Sequence, residues 1–370
     1  MRVLIAPDAF KGALTAREAA AAVARGLPED WDVDLCPLSD GGEGFLDVFE
    51  DAEHHLVPTE DAYGAPIRAA YGLGDGFAAI EVARVIGLYL NRARDPLRAS
   101  TGGLAPLVSA AVAPGRTTFI GLGGSATVDG GLGLLRGLGG AFFDAHGREV
   151  TSPAALVDVV RADVSPSFDG DVVALVDVDQ RLLGAAEVFG PQKGADTAAV
   201  SRLERGLLRW AEVLDPDGRH RDVPGAGAAG GLGFALSCLG ARLVPGAEAI
   251  LERVAFLGRA RRAGLVFTGE GRFDAQTAQG KLVAAVAAEA RRANTPCIAL
   301  AGEVAGAAAS VPGLDAVFSL APGPCRRGDA MAATAERLAQ VAAAVAATWN
   351  AAARSPGGDG GLGSSAIGRL

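Results

Sequence analysis

Lysine is scarce in this chain, and the positions where it occurs suggest anion binding. Lysine and arginine together number 34, yet only three of them are lysines: Lys11, Lys193 and Lys281. Each lysine has a glycine beside it, in FKG, QKG and GK. An ammonium group approaches a phosphate or a carboxylate as a compact point charge, so we predict that these lysines bind anionic oxygens. Three solvated surface lysines with chance neighbours are the alternative.

Acidic residues show a complementary pattern in the short segments SDGGEG, VDGG, VDVD and GEGRFD. Carboxylates in such loops suit Mg²⁺, a hard ion that takes one or two carboxylates together with phosphate oxygens. One carboxylate could also accept a hydroxyl proton. Taken singly, each acid is equally well explained as a turn residue or a helix N-cap. Together with the lysines, these segments favour phosphoryl transfer, which depends on positioning and charge neutralisation. The acids concerned are Asp40, Glu43, Asp129, Asp177, Asp179, Glu270 and Asp274.

The stretch GLGGSATVDGGLG, residues 121–133, holds six glycines and follows the strand-like run RTTFI. Glycine permits both positive φ and close approach to the backbone. We therefore predict a loop whose N–H groups, with the Ser125 and Thr127 hydroxyls, bind a phosphate or a carboxylate. A tight structural turn is the alternative. GLGGSA and GAGAAG also match a dinucleotide-binding pattern, but neither has the required strand–turn–helix context.

Composition and charge exclude several classes of protein. The chain has 370 residues, is 49% apolar and carries a formal charge of -9, so it suits neither nucleic acid nor an anionic membrane surface. Charged residues come too early for a signal peptide, and the apolar run 224–241 is too rich in glycine for a transmembrane helix. The four cysteines form no C-x-x-C pair, which indicates a reduced, cytoplasmic protein.

The order of predicted elements indicates an α/β fold. The capping-box sequence TARE opens a helix that should end at Gly26, and strands such as VLIAPD, RTTFIGL and AGLVFTG alternate with helical stretches. This order implies a parallel sheet of the Rossmann or flavodoxin-like type. IRAAYGLGDGFAAIEVA predicts an antiparallel hairpin within an inserted, mixed α/β domain. We predict that residues 1–65 and 265–350 form the first domain, 66–264 the inserted domain, and 351–370 a flexible tail.

A series of sequence blocks resembles the bacterial class I glycerate kinase family (glycerate 2-kinase). The blocks are APDAFKGALTAREAA, LSDGGEGFLD, GLGGSATVDGGLGLL, DVDQRLLG with VFGPQKGA, PGAGAAGGLGFAL, and TGEGRFDAQTAQGK with LAGEV. They recur in order over nearly the whole chain. The resemblance implies ATP-dependent phosphorylation of D-glycerate to 2-phosphoglycerate with Mg²⁺. Another small hydroxy acid as substrate, or 3-phosphoglycerate as product, is the alternative, and a homodimer is left open.

These arguments give a set of expected site residues. We expect catalytic roles for Asp8, Lys11, Asp40, Asp177 and Lys281. We expect substrate or phosphate binding by Gly123, Gly124, Ser125, Thr127, Asp129, Lys193 and Arg272. We expect metal binding by Glu43, Asp179, Glu270 and Asp274.

Overall fold

The computed structural model describes residues 1–90, 94–164, 167–273, 282–305, 311–321, 323 and 326–354. Its strands are β1 Arg2–Ile5, β2 Asp32–Leu35, β3 Glu53–Glu60, β4 Pro66–Gly74, β5 Phe77–Glu81, β6 Thr117–Gly121, β7 Ala141–Asp144, β8 Val159–Asp163, β9 Asp171–Val176, β10 Arg242–Pro245, β11 Leu265–Phe273, β12 Cys297–Val304 and β13 Ala316–Ser319. Its α-helices are α1 Ala16–Arg25, α2 Ala83–Ile86, α3 Ala105–Ala111, α4 Leu132–Gly137, α5 Ala185–Phe189, α6 Thr197–Leu214, α7 Ala228–Cys238, α8 Gly246–Arg253, α9 Phe256–Ala260, α10 Leu282–Arg292, α11 Arg327–Ala332 and α12 Thr334–Ala353. Short 3₁₀ helices span Phe45–Val48, Gly102–Leu104, Pro153–Asp158 and Pro191–Lys193.

The chain divides into two compact units. The first comprises Met1–Ser39 and Ile250–Leu370, and the second comprises Asp40–Ala249. The second unit therefore begins and ends earlier than the domain predicted over 66–264. It begins earlier because β3 pairs with β4 along its whole length, which places residues 53–60 in the sheet of the second unit. The second unit ends earlier than predicted because the chain returns to the first unit within α8.

The sheet of the first unit is entirely parallel and has the strand order β2-β1-β11-β12-β13. Numbered within this unit alone, the order is 2-1-3-4-5, the flavodoxin-like arrangement. The predicted fold class is thus confirmed. The strand order reverses between β1 and β11, and in such sheets the carboxyl ends at the reversal are where ligands bind.

Helix α1 begins as its sequence predicts. The Thr15 side chain accepts a hydrogen bond from the Glu18 N–H, and the Glu18 carboxylate accepts one from the Thr15 N–H, so the capping box is complete. Its alanines pack against the sheet with Val3, Ile5 and other apolar residues of the first unit. At its end, a Cβ on Gly26 would lie 2.0 Å from the carbonyl oxygen of Ala339 in α12, so glycine is required there.

The sheet of the second unit is mixed, with the order β10-β9-β6-β5-β4-β3. Strands β10, β9, β6 and β5 are parallel, whereas β5 with β4 forms the predicted antiparallel hairpin. A separate hairpin, β7 with β8, completes the unit. Because four neighbouring strands are parallel, their carboxyl ends meet at one edge of the sheet, and Glu81, Gly121 and Val176 lie there.

The apolar run near the start of α7 forms a kinked, buried helix. Ala229, Gly230 and Gly231 all have positive φ, of 52°, 70° and 93°, so the chain turns sharply before the regular part of the helix. The residues of α7 pack in the interior of the second unit. Within the described ranges, no helix has the length and apolar character needed to cross a membrane.

Cysteine behaves as the sequence indicates in the described part of the chain. Cys36, Cys238 and Cys297 are not disulfide-bonded, and Cys325 lies outside the described residues. Burial raises the pKa of the Cys238 thiol to about 12. Burial raises the pKa of the Cys297 thiol as well, so Cys238 and Cys297 are packed groups and not reactive centres.

Candidate active site

The glycine loop, residues 121–131, lies at the carboxyl end of β6 in the second unit. Its first part is held from both sides, because the Leu122 N–H donates to Leu175 O at 3.1 Å and the Ala126 N–H to Ile86 O at 2.8 Å. Gly124 is exposed with φ +73°, whereas Ser125 is buried. The loop therefore presents its backbone at Gly124 to solvent on a rigid support.

A second glycine-rich segment, the acidic loop of residues 40–44, packs directly on the glycine loop. The Gly123 N–H donates to Gly41 O at 3.0 Å. A Cβ on Gly123 would lie 2.4 Å from the Cα of Gly42, and one on Gly246 would lie 2.0 Å from the carbonyl oxygen of Asp40. At Gly123, therefore, the backbone of the acidic loop approaches the glycine loop too closely for any side chain.

The far half of the glycine loop meets the kink of α7. A Cβ on Gly230 would lie 2.1 Å from Thr127 O, and the Gly130 N–H donates to Gly230 O at 3.0 Å. The Thr127 hydroxyl donates to Ala229 O at 3.3 Å, and Thr127 is fully buried. Within the second unit, this hydroxyl is thus engaged by protein.

Asp129 is wholly buried and anchors the loop. Its Oδ2 accepts hydrogen bonds from the Thr101 N–H and hydroxyl, both at 2.8 Å, and from the Gly133 N–H at 3.1 Å. Its Oδ1 accepts one from the Gly131 N–H at 3.0 Å. Burial raises the pKa of Asp129, and these hydrogen bonds oppose that rise. The carboxylate holds the start of α4 and the Thr101 segment together.

Lys193 brings a buried positive charge beneath the loop. It is 4% exposed, and its Nζ donates to Ser125 Oγ at 3.1 Å and to Thr127 O at 2.7 Å. Burial lowers the pKa of this ammonium from 10.5 to about 7, and the charge of Asp129 opposes the shift. Because Ser125 Oγ accepts from the lysine, its own O–H proton remains available for another acceptor.

The acidic loop carries Asp40 and Glu43 at the same edge of the sheet. Asp40 is 8% exposed, and its Oδ1 accepts from the Gly42 N–H at 3.1 Å, the turn geometry that the sequence allowed. Glu43 is half-buried. Asp177 and Asp179 follow β9 at this edge and are exposed. With Asp129 of the glycine loop, the second unit thus brings carboxylates of three predicted segments to the carboxyl ends of its parallel strands.

A buried network beside the acidic loop escaped the sequence analysis. The Glu81 carboxylate accepts from the Gly44 N–H at 3.2 Å, the Leu46 N–H at 3.0 Å and Arg84 Nε at 3.0 Å. Arg84 Nη2 donates to Asp47 Oδ1 at 2.7 Å. The available signal is an acid at a strand end with an arginine three residues later, in a segment for which the sequence predicts only a hairpin.

The first unit places its own predicted residues at the reversal point of its sheet. Asp8 and Lys11 follow β1, while Glu270 and Arg272 lie in the last part of β11. The Asp8 N–H donates to Gly269 O at 2.9 Å. A Cβ on Gly271 would lie 3.3 Å from the backbone nitrogen of Lys11, so the two segments run close together. Asp8 is buried, whereas Lys11 and Arg272 are exposed. Asp274 and Lys281 lie outside the described residues.

Across the described part of the chain, no three His, Cys, Asp or Glu side chains are grouped as a metal cage. The carboxylates at the strand ends stand singly or in pairs within each unit. Such a donor set fits an ion that takes only one or two protein carboxylates and completes its coordination with phosphate oxygens and water.

Fold and site together define an α/β protein with glycine-rich and acidic loops at the carboxyl ends of parallel strands. The glycerate kinase family model matches residues 3–350. A glycerate kinase from Bacillus subtilis (strain 168) is 38% identical over 94% of this chain and 97% of its own length. A glycerate 2-kinase from Escherichia coli (strain K12) is 38% identical, over 86% and 90%. A crystal structure of a protein assigned as glycerate kinase 2 from Salmonella typhimurium LT2 has a TM-score of 0.81 and 35% identity, covering 96% of this chain and all of that one. The chain belongs to the glycerate kinase family and is therefore an enzyme of the kinase class.

Proposed function

We propose that the protein transfers the γ-phosphoryl group of ATP to the 2-hydroxyl of D-glycerate, giving 2-phosphoglycerate and ADP. Membership of the glycerate kinase family supports the reaction class. The similarity to the Escherichia coli glycerate 2-kinase supports the position of transfer. Three cysteines outside any disulfide and the need for ATP agree with a cytoplasmic enzyme.

One observation carries this proposal on the structural side: a glycine loop with a buried ammonium beneath it and an acidic loop packed against it. Phosphoryl transfer requires a cradle for phosphate or carboxylate oxygens and carboxylates for a metal ion or a proton. The exposed backbone at Gly124 and the hydroxyl of Ser125 can supply the cradle, since Lys193 adds positive charge beneath Ser125. We assign Gly123, Gly124, Ser125 and Lys193 to anion binding, and Thr127 and Asp129 to holding the loop in shape.

The acids of the second unit have complementary roles in this proposal. Asp40, packed against the glycine loop, accepts the proton of the attacking hydroxyl, and Asp177 orients that hydroxyl. Glu43 and Asp179 are carboxylates suited to hold Mg²⁺, which would neutralise charge on the triphosphate.

The predicted residues of the first unit stand at the ligand-binding edge of a flavodoxin-like sheet. Lys11 pairs with an anionic oxygen, and Asp8 orients a substrate hydroxyl or a water. Glu270 is a further candidate for holding Mg²⁺, and Arg272 is a further candidate for binding phosphate. Lys281 and Asp274 remain predictions from the sequence alone.

A coupled assay of ADP release tests the reaction. D-glycerate, L-glycerate and glycolate are compared as substrates, with and without Mg²⁺, and the Asp40→Asn variant purified in parallel controls for a contaminating kinase. We expect Mg²⁺-dependent turnover with D-glycerate that the variant largely loses. Phosphorus NMR of the product then distinguishes 2-phosphoglycerate from 3-phosphoglycerate. A higher kcat/KM for another hydroxy acid, or 3-phosphoglycerate as the product, would contradict the proposal as stated.

The assembly is a separate proposal. We propose a homodimer, which light scattering of the purified protein tests directly. A mass near 37.2 kDa would indicate a monomer instead.

A further inference from the structure

Glu81 stands at the junction of the two loops that carry the proposed site. It is the last residue of β5, and its register partner on β6 is Gly121, where the glycine loop begins. A Cβ on Gly121 would lie 2.5 Å from Gly41 O and 2.8 Å from the ring of Phe45, so the two loops are packed without space between them. Any group that fixes one loop here also fixes its distance from the other.

The acidic loop cannot hold its own shape. Gly41, Gly42 and Gly44 make up most of it, and Gly41 and Gly44 have φ of +104° and +82°. Glycine has the largest conformational freedom to lose on folding, so such a segment needs constraint from outside. Within the described part of the chain, the Asp40 side chain bonds to the Gly42 N–H of its own turn and to no other group.

Glu81 supplies that outside constraint. Its two carboxylate oxygens receive the N–H groups of Gly44 and Leu46, on either side of the position where the loop becomes a short helix. The side chain is 3% exposed, so water does not compete for these bonds. They fix the end of the segment that carries Asp40 and Glu43.

Burial raises the pKa of the Glu81 carboxyl, and the charge of Arg84 opposes that rise. Arg84 Nε bonds to Glu81, and its Nη2 bonds to Asp47 in the short helix Phe45–Val48. A buried charged group with these partners is weak evidence for stability, because apolar residues of similar volume often serve as well. The network is better explained by the geometry that it imposes.

We propose that Glu81 is a positioning residue of the kinase, which sets Asp40 and Glu43 at their working distance from Gly123–Ser125. The proposal rests on the proposed function for its kinetic consequence, but not for its structural one. Asp215 offers a matched control, because its buried carboxylate likewise accepts backbone N–H groups, those of residues 219–221, in a loop without proposed site residues.

Amide hydrogen exchange tests the structural part without turnover. In Glu81→Gln we expect faster exchange in peptides covering residues 40–48 and unchanged exchange over 216–222, and in Asp215→Asn the reverse. Glu81→Asp keeps the charge but is too short to reach the N–H groups of Gly44 and Leu46, so we expect the same exchange pattern. It replaces Glu81→Gln in the test if Glu81→Gln does not fold. Unchanged exchange over 40–48 in a folded Glu81 variant would overturn the proposal.

A double-mutant cycle with Asp40→Asn tests the kinetic part. Misplacement by about 1 Å can lower kcat by about 10²-fold, and we expect a loss of this order in Glu81→Gln with little change in KM for ATP. If Glu81 acts through the acidic loop, adding Glu81→Gln to Asp40→Asn should lower kcat by less than about twofold further. If the kcat losses of Glu81→Gln and Asp40→Asn instead multiply in the double variant, Glu81 acts only through general stability. We expect multiplied losses when Asp215→Asn is combined with Asp40→Asn. If the wild-type protein does not phosphorylate D-glycerate, the proposed function fails, and the exchange experiment still decides the role of Glu81.

Discussion

Replacing Lys193 by methionine separates a functional charge from a structural one. Methionine has a similar length and no charge, so it can fill the buried space. A lysine that only stabilises the fold should be costly to lose, whereas losing a lysine kept for its electrostatic effect on Ser125 should cost no stability. We expect the second result.

The structure sets the size of both contributions. A shift of the pKa from 10.5 to about 7 corresponds to about 5 kcal/mol against the buried ammonium at low pH. The neutral amine can donate the same two hydrogen bonds, to Ser125 Oγ and Thr127 O, and each is worth about 0.5 to 1.5 kcal/mol. At pH 6 the charge penalty exceeds this gain, so the free energy of unfolding of Lys193→Met should equal or exceed the wild-type value, by up to about 4 kcal/mol.

The pH dependence has a defined sign. The pKa of Lys193 is lower in the folded than in the unfolded state, so between about pH 7 and 10.5 the unfolded chain holds a proton that the folded chain has released. Raising the pH in this window therefore favours the folded wild type. The wild-type protein should gain up to about 1.4 kcal/mol per pH unit relative to Lys193→Met above pH 7, and nothing below it.

Trp210 reports unfolding of the second unit, because its indole N–H donates to Gly130 O at 2.9 Å beside the loop. Replacing Trp31 and Trp349 by phenylalanine leaves it as the sole tryptophan. Denaturant unfolding at pH 6, 7.5 and 9 then gives the stability of each variant, with Leu203→Met as a buried, uncharged control.

Activity completes this test. We expect Lys193→Met to lose about 10²-fold in kcat/KM at pH 7, the size of effect found when one preorganised charge or donor is removed. A stability difference that stays flat from pH 6 to 9 would refute the buried-charge argument. Full activity in the folded variant would remove Lys193 from the site.

Two further predictions concern the remaining charged positions. Lys11→Arg should lower kcat/KM nearly as far as Lys11→Ala, about 10²-fold, because the position calls for a compact point charge. Near-normal kinetics of Lys11→Arg would exclude that role. Asp40→Asn and Glu270→Gln should reduce kcat more than they weaken glycerate binding, and steady-state kinetics across a Mg²⁺ titration measures this. If both variants keep the wild-type kcat and Mg²⁺ requirement, these carboxylates are not catalytic.

Local signals in the sequence predicted much of the fold. The capping box at Thr15 and Glu18 and the apolar runs of the parallel strands depend on residues close in the chain, so pattern alone identifies them. Strand β3, EHHLVPTE, escaped because proline and two histidines interrupt its pattern. Only its pairing with β4 shows that it belongs to the second unit, which is why the predicted boundary came too late.

The candidate site was predictable in composition but not in detail. Glu81 and Gly44 lie 37 residues apart, and Asp129 and Thr101 lie 28 apart, so no local pattern joins them. A buried carboxylate that holds a loop has the same sequence signature as one that binds a ligand. The distinction between Asp129, with four protein donors, and Asp40, at the strand-end edge, needed the tertiary structure.

Gly123 gives the sharpest test of why the glycine loop is so rich in glycine. A Cβ there would lie 2.4 Å from the Cα and 2.9 Å from the nitrogen of Gly42, and backbone atoms cannot move aside as a flexible side chain can. Gly123→Ala should therefore part the glycine loop from the acidic loop and lower kcat by about 10²-fold. Gly139→Ala is the control, since Gly139 lies in the same unit as Gly123 but has open space around its Cβ position. The positive φ of Gly139 makes this substitution mildly strained. It should lower stability by a small amount and leave kcat unchanged. If Gly123→Ala were folded and retained kcat within about twofold, contact between these two backbones would not be what sets the geometry of the reaction.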